Sequence, residues 1–304
     1  MLELIKKPNI DFIGKKYITL LVTGTLSIIG IIAIIQIATG KANMGIDFAG
    51  GTEVQLKFQK PVDLQSVRTA LDAGGIKGFE LQDIPAESRV LIKTKRSDGD
   101  LTNIADSITA ALDQHLPDNK YTVDATTAVG PKVGTKLRND AVKAIIYATI
   151  GILVYVAIRF KFQFGVGATV ATIHDVLAIL GIFYIMGKEI NLIVVSGLLT
   201  IAGYSLTDTV VVYDRIRENL RTQFKEPLAT VINKSINEVL SRTIITSLTV
   251  FLAATALFFL GGEVIHDFAL IILLGIIIGT YSSIFVASPI LLLWKKNRPS
   301  FAKK

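Results

Sequence analysis

Apolar residues gather into six runs, at about residues 17–37, 141–158, 164–186, 192–212, 244–260 and 268–294. Most approach the ~20 residues with which a helix crosses about 30 Å of hydrocarbon. The fifth does so only if its helix begins upstream, near Val239, which carries Arg242 into the apolar layer. One long polar stretch separates the first two runs, and the remaining connections are short. The pattern predicts six transmembrane helices and a single domain outside the membrane, placed after the first helix. Its bounds are residues 1–16 as an N-terminal segment, 17–37 as the first span, 38–138 as the domain, 139–294 as spans two to six and 295–304 as a basic tail.

The polar stretch reads as β-α-β-β-α-β. Residues 52–58 alternate, with Val54, Leu56 and Phe58 on one face and Glu53, Gln55 and Lys57 on the other. Asp63 is placed to cap a helix whose apolar positions are Leu64, Val67, Ala70 and Leu71, ended by Gly74-Gly75. Short strands at 79–82 and 90–94, a helix at 101–116 and a strand at 121–129 complete the order expected of a ferredoxin-like split motif. The fold class is therefore an α-helical polytopic membrane protein carrying a ferredoxin-like α+β domain. In Asp47-Phe-Ala-Gly-Gly-Thr52, before the first strand, Gly50 and Gly51 allow positive φ or close backbone approach. The segment is either a turn into that strand or a hinge at the outer membrane face.

Composition agrees with the pattern. Of the 304 residues, 51% are hydrophobic and 19% charged, against roughly 25% charged in soluble domains. Cysteine is absent, so disulfides and thiolate chemistry are excluded. The formal charge of +7 does not point to nucleic acid, because basic and acidic residues balance within 41–138 and the excess lies at the ends of the apolar runs. Lys6, Lys7, Lys15 and Lys16 precede the first run; Arg159 and Lys161 follow the second; Arg215, Arg217, Arg221, Lys225 and Lys234 follow the fourth; Lys295, Lys296, Arg298, Lys303 and Lys304 follow the sixth. The alternate short connections carry only Lys188. The positive-inside rule then puts both termini in the cytoplasm and the 38–138 domain outside. The first run has no small-residue cleavage signature and is read as an uncleaved helix.

Within this frame a few polar residues stand out. Asp208 closes an apolar run and Arg242 opens the next; a carboxylate and a guanidinium at membrane depth are costly unless paired. If the two helices are antiparallel neighbours, the depths differ by only ~3 Å at 1.5 Å per residue, so an intramembrane ion pair is expected. The alternative is an Arg242 that snorkels to the headgroups and an Asp208 at a frayed helix end. Tyr204 and Ser205 share the Asp208 face, and Thr246 and Thr249 extend the Arg242 face, together a candidate polar track. His174-Asp175 sits mid-run, either as relay support or as a buried pair that fixes packing. Gly275 and Gly279, continued by Ser282 and Ser283, form a small-residue face for close helix packing, within this chain or against another. Asp214-Arg-Ile-Arg-Glu-Asn219 reads as a solvated helix end with intrahelical ion pairs, or as a contact for cytoplasmic partners. His115 and His266 have nothing metal-like around them. No P-loop, nucleophile elbow or zinc helix is present, so no metal, cofactor or hydrolytic site is expected.

Several of these segments together carry a resemblance: Asp47-Phe-Ala-Gly-Gly-Thr52, Gly130-Pro-Lys-Val-Gly134, His174-Asp175, Gly203-Tyr-Ser-Leu-Thr-Asp208, Asp214-Arg-Ile-Arg-Glu218, Leu240-Ser-Arg-Thr-Ile244 and Gly279-Thr-Tyr-Ser-Ser-Ile-Phe-Val-Ala-Ser288. Over nearly the whole chain it resembles the SecD/SecF family, the accessory subunits of the bacterial protein-export translocase, and within it the shorter, SecF-type members. Thr207 departs from the family, which often has Asn before the aspartate. The resemblance implies a subunit of the cytoplasmic membrane that uses the proton-motive force at late steps of preprotein export, with Asp208 and Arg242 matching an intramembrane charged pair. It implies SecD as heteromeric partner, supplying six further helices and an aspartate, with the SecYEG channel and indirectly SecA beyond it and unfolded preprotein as substrate. A small-molecule exporter of the similar resistance-nodulation-division type and a passive scaffold are the alternatives. The exporter fits less well, because those chains carry two large external insertions rather than one.

Overall fold

The computed structural model describes residues 9–84, 88–95, 101–223 and 225–294. The basic tail after residue 294 and the first lysines of the N-terminal segment lie outside them. The chain divides into two compact units, one of residues 44–142 with 190–192 and one of the remainder.

The smaller unit opens with α2 (Ile46–Ala49). It continues through β1 (Gly51–Phe58), α3 (Leu64–Ala73), β2 (Phe79–Ile84), β3 (Arg89–Lys95), α4 (Leu101–His115) and β4 (Tyr121–Val129). The strands form one antiparallel sheet in the order β2-β3-β1-β4, the ferredoxin-like order expected. The alternation of β1 sends Val54, Leu56 and Phe58 into a core shared with Val90 and Ile92 of β3, Val67 and Leu71 of α3 and Ile108 and Leu112 of α4. The opposite face carries polar pairs across the strands, Arg89–Asp124 at 2.8 Å and Lys93–Glu53 at 3.8 Å. Asp63 stands at the N-cap of α3, yet its side chain makes no cap bond; its carbonyl accepts from Ser66 N instead. Tyr121 seals the end of α4: its hydroxyl donates to Asp113 Oδ1 at 2.8 Å and lies 3.0 Å from Thr109 O. Burial, and then the Asp113 carboxylate, pushes its phenol well above the usual value.

The glycine motif is a knot of close backbone approaches. Gly50 and Gly51 have φ of 78° and 150°, a region that side chains rarely enter. The carbonyl of Thr94 occupies the space that a Cβ at Gly51 would need. Gly134, near the start of α5 (Pro131–Arg159), lets that helix lie against the carbonyls of Asp47 and Phe48. Asp47 Oδ2 accepts from Leu192 N at 3.0 Å, and Gly45 N donates to Ile190 O at 2.9 Å. The motif thus turns the chain into β1 and also caps the first residue of a distant helix. Pro131 begins α5 ten residues before the apolar run at 141, because proline at the first helical position loses no hydrogen bond.

Six helices among the described residues are long and apolar enough to cross a membrane. They are α1 (Lys16–Ala38), α5, α6 (Phe162–Ile185), α7 (Leu192–Thr222), α8 (Leu228–Leu260) and α9 (Glu263–Ser282) with its continuation. In the larger unit α6, α7 and α9 are central, whereas α1 and α8 present most of their surface outward. The fifth span does start upstream, at Leu228, so Arg242 lies mid-helix. After α9 the chain takes a π-helical turn, Ser283–Ala287, then a short α10 (Ser288–Ile290) and a 3₁₀ turn. Pro289 removes an N–H and crowds the carbonyl four residues back. The carbonyls of the widened turn find other donors, Ser288 Oγ on Ser283 O at 2.8 Å and Tyr213 OH on Ala287 O at 3.0 Å. The segment before α1 is clasped to α8: Asn233 Oδ1 accepts from Phe12 N, and Asn237 Oδ1 from Ile10 N. Phe12 then packs edge-on against Phe285.

Candidate functional site

Asp208 is buried in α7, with 5% of its surface exposed. Its Oδ2 accepts from Ser247 Oγ of α8 at 3.3 Å and from Thr280 Oγ1 of α9 at 3.4 Å, and those two hydroxyls lie 2.8 Å apart. Arg242 is not brought to the carboxylate. It is exposed, and it lines a cleft of about 810 Å³ with Arg159, Val211, Asp214, Arg217 and Arg221 among its neighbours. Equal depth along two helices does not fix which way their side chains face. Ser247 faces inward, and five residues at 3.6 per turn place Arg242 roughly 140° away on α8. Val211, one turn beyond Asp208, nevertheless borders the same cleft.

A second acid holds the centre of the bundle. Asp175 of α6 has no exposed surface. Its Oδ2 accepts from Ser205 Oγ at 2.6 Å and from Ser282 Oγ at 2.9 Å, and its Oδ1 lies 3.1 Å from His174 Nδ1. Ser205, expected on the Asp208 face, therefore serves Asp175. Tyr281 crosses to α1, donating to Thr19 O at 2.9 Å and lying 3.1 Å from Thr23 Oγ1. Among the described residues no Lys or Arg side chain bonds either acid. The Tyr204 hydroxyl is buried on the Asp208 side of α7, beside Ser247. The Thr246 and Thr249 hydroxyls turn back onto carbonyls of their own helix rather than forming a track. Ser247, Thr280 and Ser282 are the site residues that sequence reasoning missed. A buried-face assignment of α8 and α9 is the signal that finds them.

Gly275 and Gly279 do pack within this chain. A Cβ at Gly275 would run into Ile201, and one at Gly279 would lie 3.0 Å from Ser205 Cβ. These close approaches bring the α9 hydroxyls to the acids on α6 and α7. At the charged end of α7, Arg215 pairs with Glu238 and with Glu218, both at 2.6 Å, and Asn219 bridges to Ser235 at 2.9 Å. The expected intrahelical pairs form here, joined by pairs to α8. The His266 ring lies 4.2 Å from that of Phe258, tilted by 36°, and no group fit to hold a metal occurs among the described residues.

Six span-length helices, two acids held in the bundle core and a ferredoxin-like domain after the first helix define a polytopic membrane protein of the transporter type. Residues 108–297 match the family model described as protein export membrane protein SecD/SecF, C-terminal, and residues 37–62 match the SecD/SecF GG motif. The protein translocase subunit SecF of Thermodesulfovibrio yellowstonii is 58% identical over 299 residues, covering 98% of both chains. That of Calditerrivibrio nitroreducens is 45% identical over 301 residues, again covering 98% of both. The crystal structure of SecDF, a translocon-associated membrane protein from Thermus thermophilus, matches with a TM-score of 0.81 at 37% identity, over 95% of this chain and 39% of that one. The chain thus spans about two-fifths of the SecDF chain. It belongs to the SecD/SecF family of protein-export membrane proteins, on its SecF side.

Proposed function

We propose that this chain is the SecF-type half of a proton-driven device that assists late steps of preprotein export across the bacterial cytoplasmic membrane, with SecD as its partner. The observation that carries this reading is Asp208, a carboxylate at membrane depth whose ligands come from two other helices. Intramembrane acids of this kind mark ion pathways. The protonated, neutral Asp208 rests in the cradle of Ser247 and Thr280, and the ionised form is drawn to Arg242 across the turn that ends at Val211. The carboxylate thus alternates between a hydroxyl cradle and a guanidinium, and α7 moves relative to α8. A two-state element biased by protonation is what such a switch requires. The glycine motif, tied through Asp47 to the start of α7, passes the movement toward the ferredoxin-like domain, which holds emerging polypeptide. SecYEG, with SecA behind it, supplies that polypeptide. The test is reconstitution with SecD and the channel in vesicles: export that is indifferent to the proton gradient overturns the reading.

Two outward stripes support a helical partner. On α7, Ser196, Thr200, Gly203 and Thr207 are exposed at helical spacing, and on α8 so are Thr246, Thr249, Ala253 and Ala256. Small residues let membrane helices approach closely. Thr200 and Thr207 donate to carbonyls of their own helix, which leaves smooth surfaces. Gly203→Leu is therefore expected to leave the chain folded and to reduce SecD co-purification at least about tenfold, the equivalent of ~1.4 kcal/mol. Unchanged co-purification removes this face as the partner site.

The orientation follows the lysine and arginine distribution, with both termini cytoplasmic and the domain outside. A reporter active only in the cytoplasm should work when fused after Lys304 and stay silent when inserted near Gly99. The opposite result reverses the topology.

A further inference from the structure

Arg242 is one of five arginines that line a single cleft of about 810 Å³ at the charged end of α7. Arg159 comes from α5, Arg215, Arg217 and Arg221 from α7, and Arg242 from α8. Lysines occur on the neighbouring stretches, as Lys161, Lys225 and Lys234, yet none of these three lines the cleft. Either residue supplies positive charge at a membrane face. A guanidinium adds a planar fork of donors that fits phosphate oxygens. The carboxylates of the cleft, Asp214, Glu218 and Glu238, do not balance the five guanidinium groups. Arg215 takes two of them, Glu238 and Glu218, both at 2.6 Å. Asp214 is shared, 3.4 Å from Arg159 and 4.0 Å from Arg217. Arg221 and Arg242 make no ion pair among the described residues. The guanidinium groups of Arg159 and Arg217 also lie 5.0 and 5.9 Å from the ring centre of the buried Phe160, which holds both in place. Converging like charges with too few partners make a field that an anion from outside relieves.

We propose that this cleft binds the phosphate headgroup of an anionic membrane lipid, whose acyl chains lie on the apolar surface next to it. The membrane is the source because the cleft is amphipathic. Val211 and Val239 line it together with Arg242, which stands mid-helix in α8, two residues before the apolar run at 244. Ile158, beside Arg159, is 81% exposed, and Tyr155 of α5 and Leu248 and Leu252 of α8 are exposed further along the same helices. From Val211 to Arg221 helix α7 advances about 15 Å at 1.5 Å per residue. The cleft therefore reaches from the headgroup layer into the edge of the hydrocarbon. A water-borne anion meets Arg221 and gains nothing from the valines, whereas a lipid satisfies both ends. Basic pockets between membrane helices on the cytoplasmic side suit anionic headgroups, and the proposed orientation puts this end of α7 on that side. The site stands on the charges of the cleft and does not rest on the proton switch.

The test is native mass spectrometry of the full chain with its partner, released from bilayers of phosphatidylglycerol and phosphatidylcholine in equal parts. Each unpaired surface arginine is worth roughly fivefold toward an anionic headgroup. The complex should therefore retain phosphatidylglycerol over phosphatidylcholine by at least about tenfold. Arg221→Gln should lower the retained phosphatidylglycerol about fivefold, and Arg242→Gln by a similar factor. Arg221→Lys should fall between, because it keeps the charge and loses the fork. Lys225→Gln removes the same charge just past the end of α7 but outside the cleft, and should change nothing. Arg221 is exposed and makes no ion pair among the described residues, so its variants should fold; melting in phosphatidylcholine alone checks this. Equal retention of the two lipids overturns the proposal, as does an Arg221→Gln complex that holds as much phosphatidylglycerol as wild type. A loss in Lys225→Gln as large as that in Arg221→Gln would mean diffuse surface charge and also overturns it. Displacement of the lipid by inorganic phosphate alone would make this a site for free anions and remove the membrane as its source. No proton gradient enters the measurement, so the lipid site and the proton switch stand or fall separately.

Discussion

Asp208→Asn is expected to abolish the stimulation of export by a proton gradient while the chain still accumulates and still binds its partner. Asparagine keeps the size of the side chain, and its carbonyl still accepts from Ser247 and Thr280, whose hydroxyls lie 3.3 and 3.4 Å from the carboxylate. The bundle therefore has no packing reason to fail. What is lost is the group that gains and releases a proton. One charge moving through 100 mV releases about 2.3 kcal/mol, enough to bias a two-state equilibrium about 50-fold, so gradient-driven export should fall by up to that factor. Arg242→Lys keeps the charge and loses the planar fork; it should give an intermediate rate, and Arg242→Gln a rate as low as that of Asp208→Asn. The measurement is export into vesicles with and without a proton gradient, normalised to assembled complex. Wild-type stimulation in Asp208→Asn would leave the fold and the family standing and remove the proton switch.

The elements were legible because each rests on one strong periodicity. Apolar runs of span length become helices whatever surrounds them, and the strict alternation of residues 52–58 fixes which face of β1 is buried. The site was legible in part. Acids at 175 and 208 announce themselves, since an ionisable group in an apolar run needs a reason. Their partners do not. Ser247, Thr280 and Ser282 are ordinary small residues in apolar helices, and only the rotation of α8 and α9 about their axes turns them inward. The rotation of α9 is set by packing of its glycines against Ile201 and Ser205 of α7, which no local pattern encodes. The same information decides that Ser205 serves Asp175 and that Arg242 faces outward. The role of Asp47 was hidden for a similar reason, because the residue that it caps, Leu192, lies 145 positions away.

Gly275→Leu is expected to do the most structural damage of any single substitution in the bundle core. A Cβ built on Gly275 already runs into the side chain of Ile201 on α7, and leucine adds three further carbons in the same direction. Ile201 is 2% exposed and has nowhere to retreat. Overpacking a filled core costs about 1–3 kcal/mol and occasionally more, a large share of a total stability of roughly 5–15 kcal/mol. The alternative to local strain is separation of α9 from α7. That movement withdraws Thr280 from Asp208 and Ser282 from Asp175, so two buried acids lose hydroxyl ligands together. Gly275→Leu should therefore lower the amount of folded chain severalfold in membranes and lower its midpoint of thermal unfolding, whether or not a partner is present. Gly203→Leu is the control: that position is open, with nothing within 4 Å of its Cβ, so the isolated chain should retain wild-type abundance and melting. Wild-type melting of Gly275→Leu would mean that α7 and α9 do not meet at this face. The hydroxyl ligands assigned to both acids would then fall with it.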